Sequence, residues 1–150
     1  QFVEKKHPGL FCVILLPVPL NRSCNPFITN QSPKHQHACE LARLSVAAWK
    51  ASPTKWPEVH EQLISTLDLP PEVAEAAVGQ IVGHDQLELA KQDPSVESLI
   101  KSSVKDFGQL KKENSLLPKL MCAGGKVLHG EPRSAEALLS VLNQIYDLVP

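Results

Sequence analysis

Two hydrophobic patterns divide the chain. Near its start, Leu10-Phe11-Cys12-Val13-Ile14-Leu15-Leu16 is apolar at every position and is bounded by Pro8-Gly9 and Pro17. A short unbroken run rich in Val, Ile, Leu and Phe predicts a strand buried on both faces rather than a short helix. From residue 36 onward, apolar residues recur at three- and four-residue intervals, as in helices with one buried face. Residues 36–51 place Ala38, Leu41, Ala42, Ser45, Ala48 and Trp49 on one face, which Leu44 and Val46 widen. So broad an apolar face predicts a central helix. Pro57 opens a helix over 57–67 with a stripe of Val59, Leu63, Ile64 and Leu67, and Pro71 opens one over 71–82 that Gly83 ends. A short helix is predicted over 86–91. Asp93-Pro94 reads as a cap and a first-turn proline for 94–107, with Val96, Leu99, Ile100, Val104 and Phe107 in register. Residues 115–122 read as a short turn or helix around Pro118, and 134–148 as a helix capped by Ser134.

The predicted fold is therefore mainly α, an irregular bundle of six or seven short helices with an N-terminal β-strand. Residues 1–35 form an extended, strand-containing segment and 36–150 one compact helical domain. No internal repeat of fixed period appears. A strand needs partners for its backbone groups. Only Lys126-Val127-Leu128-His129, between Gly124-Gly125 and Gly130, also looks extended. Either these two pair, or Leu10–Leu16 joins strands beyond this sequence. The latter, with glutamine as the first residue, predicts a piece of a larger protein.

The run at 10–16 is not read as an address. Lys5 and Lys6 precede it, but Pro17 and Pro19 interrupt the apolar stretch and no small-residue cleavage site follows. It is also too short to cross a membrane, which takes about 20 apolar residues.

Composition alters little: 43% apolar and 21% charged residues are ordinary for a globular domain of 150 residues. The net charge of -1 gives no global attraction to nucleic acid or an acidic membrane, and aromatics on which bases could stack are few. The charge is nonetheless uneven. Residues 58–97 carry one basic and nine acidic side chains, whereas 1–57 carry seven basic and two acidic, and 101–133 seven basic and three acidic. These blocks either neutralise one another in the fold or form a bipolar surface that steers a partner. On 94–107, Ser98, Lys101, Ser102 and Lys105 make a basic face opposite the apolar stripe, and Lys111 and Lys112 follow. Without arginines or aromatics, this face is a weak nucleic-acid signal.

Candidate chemistry is sparse. His35, His37 and Cys39 are zinc-competent, and Cys12 or Cys24 can complete four ligands, but the spacings of structural zinc sites are missing. On a helix, His37 and Cys39 also point about 200° apart. Cys122 with His129 suggests a nucleophile and base, yet no third group orients them. Ala123-Gly124-Gly125-Lys126 fails the phosphate-loop pattern, and Gly124-Gly125 reads as the end of a helix where the chain reverses. Asn21-Arg22-Ser23 and Asn30-Gln31-Ser32 match the glycosylation triplet, the second with Pro33 directly after it. Of the four cysteines, Cys39 and Cys122 lie in apolar helical contexts, where cysteine behaves as a small hydrophobe. The cysteines are thus read as reduced, and the compartment as cytoplasmic or nuclear. Trp49 and Trp56 flank a helix corner and are read as core, Trp49 more than Trp56; the alternative is an aromatic anchor for a partner.

These residues predict a non-catalytic interaction or scaffold domain that binds another protein, or another region of its own chain, without cofactor or membrane. The expected contact residues are Trp56, Lys101, Lys105, Lys111 and Lys112. Two other classes stay open: the C-terminal part of an α/β enzyme domain, and a secreted helical bundle with two disulfides.

Overall fold

The computed structural model describes residues 9, 16–66, 69–113, 119–122, 124, 126–130 and 132–147. Contacts group residues 16–110 into one unit, and residues 1–15 with 111–150 into a second. The strand predicted at 10–16 lies outside the described residues except for Leu16, which is exposed and not in a strand. The chain is otherwise mainly helical and irregular, as the periodicity predicts.

In the first unit, α1 (Ala38–Ala51) is the central helix, packed against α2 (Trp56–Ser65), α3 (Pro71–Val82) and α4 (His84–Lys91). Its wide apolar face explains this: Leu41, Ala42, Leu44, Val46, Ala47 and Ala48 are all buried. Small side chains at 42, 47 and 48 let neighbouring helices approach closely. Pro53 opens a 3₁₀ turn, Pro53–Lys55, that leads into α2. There Val59 and Leu63 are buried, while Ile64, on the edge of the stripe, is exposed. The helix stops at Ser65 rather than 67, where the Thr66 hydroxyl turns back onto the carbonyls of Gln62 (3.0 Å) and Leu63 (3.2 Å).

Helix α3 has the predicted bounds and ends at Gly83, whose φ of 97° favours glycine. Helix α4 starts two residues earlier than predicted, because the Gly83 carbonyl accepts from Leu87 N (3.0 Å) and begins the new helix at once. Asp93 caps α5 (Pro94–Glu113), accepting from Ser95 N at 2.8 Å. Val96, Ile100 and Val104 join Val59, Val78 and Leu87 in one core. Helix α5 runs past Phe107 because Gly108 is not a stop. Its missing side chain instead makes room for the Phe27 ring, which a Cβ there would strike.

Phe27 belongs to the segment 16–32, which is irregular yet well anchored. Asn25 is fully buried, with its Nδ2 donating to the Pro19 carbonyl (2.9 Å) and its Oδ1 accepting from Phe27 N (3.1 Å). The Asn21 side chain donates to the carbonyls of His35 (3.0 Å) and Gln36 (2.7 Å), ahead of α1. These anchors bring Cys24 to Cys39, and the two form a disulfide. The reading of Cys39 as a free, reduced small hydrophobe is thereby corrected. Its burial is as expected, but the segment that returns Cys24 to it carries no periodic signal.

In the second unit, β1 (Lys119–Cys122) and β2 (Lys126–His129) pair antiparallel as a hairpin, with Cys122 opposite Lys126 and Lys119 opposite His129. The extended reading of 126–129 is correct. The helical reading of 115–122 is not: 119–122 is the partner strand. Gly124, at φ +81°, sits in the reversal between two strands rather than after a helix. Helix α6 (Ala135–Tyr146) starts at Ser134, whose Oγ accepts from Ala137 N (3.1 Å). It ends where Asp147 turns left-handed, at φ 52°. Among the described residues, no helix is long and apolar enough to cross a membrane.

Candidate interaction surface

The charge blocks acquire different meanings once their partners are known. Each of the six α-helices among the described residues begins with a carboxylate in its first turn: Glu40, Glu58, Glu72, Asp85, Glu97 and Glu136. That position favours negative charge, because unpaired N–H groups and the helix dipole point there. Four described acids of the 58–97 block, Glu97 among them, hold cations. Glu75 and Glu88 both bind Lys91 (2.6 and 2.8 Å), Asp93 binds Lys50 (2.8 Å), and Glu97 binds Arg43 (2.8 Å). The hydrogen bond from Lys50, followed by those from Ser95, lowers the Asp93 pKa to about 2. Its bond with Glu97 raises the Arg43 pKa and lowers that of Glu97, while Glu75 and Glu88 raise that of Lys91. Helix starts and ion pairs within the fold thus use most of the acidic block.

The basic half differs. On helices α1 and α4, the cations Arg43, Lys50 and Lys91 each grip a carboxylate, and Lys55, in the turn before α2, caps α3 through the Ile81 carbonyl. Lys101 and Lys105 are exposed and form no ion pair or hydrogen bond with the described residues, although Lys101 lies near enough to Glu97 to help lower its pKa. Ser98 and Ser102 stand beside them, both exposed. The four lie on the side of α5 away from Val96, Ile100 and Val104, as the periodicity predicts. Lys111 and Lys112 occupy the last turn of the helix, within the second unit.

Next to this face is a hollow of about 370 Å³ where α1, α3, α4 and α5 meet. Glu40, Glu75, Asp93 and Glu97 outnumber Arg43 and Lys91 around it, and Leu44 and Val96 line its apolar part.

The other candidates do not assemble. Cys39 offers no thiolate, being bonded to Cys24, and His37 instead meets the Gln36 side chain (2.8 Å). No group of three or more metal-competent residues forms among the described residues. The hairpin register puts Cys122 and His129 three positions apart along the ladder, about 10 Å by strand rise, too far for a nucleophile and its base. The Asn21 amide is buried and doubly bonded within the fold, whereas Asn30 is exposed.

The tryptophans reverse their predicted roles. Trp49 is 46% exposed, and Trp56 is half-buried against the core with its ring 5.8 Å from that of His60. Helical spacing put Trp49 at the edge of an apolar face that closes before reaching it. Exposed Ile64, Val73 and Leu89 each come from a different helix, and isolated apolar side chains on a surface are normal.

The chain matches no known family model, no curated protein and no solved structure.

Proposed function

We propose that this is a non-catalytic interaction domain that binds an acidic protein surface, another protein's or its own, through the exposed face of α5. One observation carries the reading. Among the described residues, Lys101 and Lys105 hold no acceptor, whereas Arg43, Lys50 and Lys91 on the other helices are committed inside the fold. Lysines exposed on a rigid helix and bonded to no described carboxylate are available to an external one, and such charges mainly govern encounter rate and partner choice. Trp56 contributes as support for the corner before α2 rather than as an anchor, and Lys111 and Lys112 extend the basic character of the helix.

The compartment reading shifts with the disulfide. A Cys24–Cys39 bridge favours an oxidising compartment over the cytoplasm or nucleus. This brings the domain nearer to the secreted helical bundle weighed from the sequence, with one bridge among the described residues.

The test is affinity capture of the full chain from its native setting, wild type beside the Lys101→Glu/Lys105→Glu double variant. Both lysines are exposed and form no ion pair with the described residues, so the variant keeps its helical circular dichroism spectrum. Partners that the wild type retains reproducibly and the variant loses support the reading. Equal retention by both sinks it.

A further inference from the structure

The charges along α5 have an order that identifies an occupant for this face. Asp93 at the cap and Glu97, Lys101 and Lys105 on the helix follow at four-residue intervals, so they form one gently winding row. The row reads acid, acid, base, base. Its midpoint falls between Glu97 and Lys101. We propose that the chain pairs with a second copy of itself through this row, antiparallel about a two-fold axis that passes between Glu97 and Lys101. The axis sets Lys101 against the second copy's Glu97, and Lys105 against the second copy's Asp93. The same two contacts repeat on the other side, as a two-fold interface requires. A parallel arrangement would oppose like charges, so the row selects the antiparallel one.

The hollow beside the row strengthens the match. It lies at the acidic end, where Glu40 and Glu75 join Asp93 and Glu97; Arg43, Lys91 and the Lys50 bound to Asp93 offset three of these four. An incoming lysine meets an excess of carboxylate for its ammonium group and the apolar surface of Leu44 and Val96 for its methylenes. Arg43 and Lys50 already hold Glu97 and Asp93, so those carboxylates are fixed in position before the second copy arrives. Ser98, near the axis, is small and exposed and lets the two helices approach. Rows spaced by four residues cross at about 50° when they interdigitate, which keeps the contact short and the dimer weak.

This inference rests on reading the lysine face of α5 as a binding surface, and the experiment separates the two. Sedimentation of the full chain, over a range of concentrations and at two ionic strengths, reads the association directly. The expected result is a monomer–dimer equilibrium that weakens about tenfold or more at high salt, because exposed charge pairs are screened. Lys101→Glu/Lys105→Glu weakens it by a similar factor at low salt, and Ser98→Cys cross-links native dimers on oxidation. A chain that stays monomeric throughout overturns the self-pairing. So does a dimer that the charge reversal leaves intact. A monomeric wild type whose captured partners are still lost on charge reversal refutes self-pairing but keeps the broader reading; if the reversal changes neither, both fall.

Discussion

Asp93 serves two structural tasks with one carboxylate. One oxygen caps α5 through Ser95 N, and the other holds Lys50. Both need the charged form, so its pKa falls from 3.8 to about 2. The folded state thus holds on to the charge longer than the unfolded chain does. Its contribution is complete above the ordinary carboxylate range and is lost as pH falls from about 4 towards 2. Thermal denaturation of wild type and Asp93→Asn between those pH values should show the variant losing less stability than the wild type. Equal losses would mean that the pair with Lys50 does not form. The cap was legible in the sequence, since Asp-Pro ahead of an apolar period is a local signal, as is Ser134. The Arg43–Glu97 pair was not: 54 residues separate its members, and only the packing of α5 near α1 brings them together. The Asn21 and Asn25 anchors were hidden for the same reason, because a loop asparagine gives no hint of which distant carbonyl it will meet.

At the level of elements, helical periodicity reads well where one face is buried. Of the stripe predicted for α5, Val96, Ile100, Val104 and Phe107 are buried. It reads less well at the margins, where Trp49, Ile64 and Val73 have helical spacing but sit beyond the edge of the contact. The hairpin was half legible. Val127-Leu128 between glycines looks extended, but Lys119–Cys122 is four residues long and lacks clear alternation, so its partner strand decides its structure. Ile100 sits at the centre of the five-helix core at 2% exposure. Replacing it with alanine should cost about 2–5 kcal/mol, by lost apolar transfer plus a residual cavity. Chemical denaturation checks this, and a loss below about 1 kcal/mol would show that the core is not packed around Ile100.

Across the whole chain, the disulfide is the feature that most revises the sequence reading. It closes a loop with a sequence separation of 15 residues and ties the segment carrying Asn25 and Phe27 to the start of α1. Constraining an unfolded loop of that length is worth about 3 kcal/mol. Reduction, or Cys24→Ser with Cys39→Ala, should lower the denaturation midpoint accordingly; an unchanged midpoint would mean that the asparagine anchors alone hold the segment. Charge patterning was legible as blocks, but only the fold distinguishes charges in use from charges left over. The acidic block largely serves helix starts and internal pairs, while Lys101 and Lys105 remain exposed and form no ion pair with the described residues. That contrast underlies the claim that α5 presents a working surface. An amide chemical-shift titration of the full chain with an oligoglutamate peptide tests it most directly. The account predicts saturating shifts centred on Ser98–Lys105 that vanish in Lys101→Glu/Lys105→Glu. Shifts spread over all the exposed lysines alike, or none in α5, would contradict it.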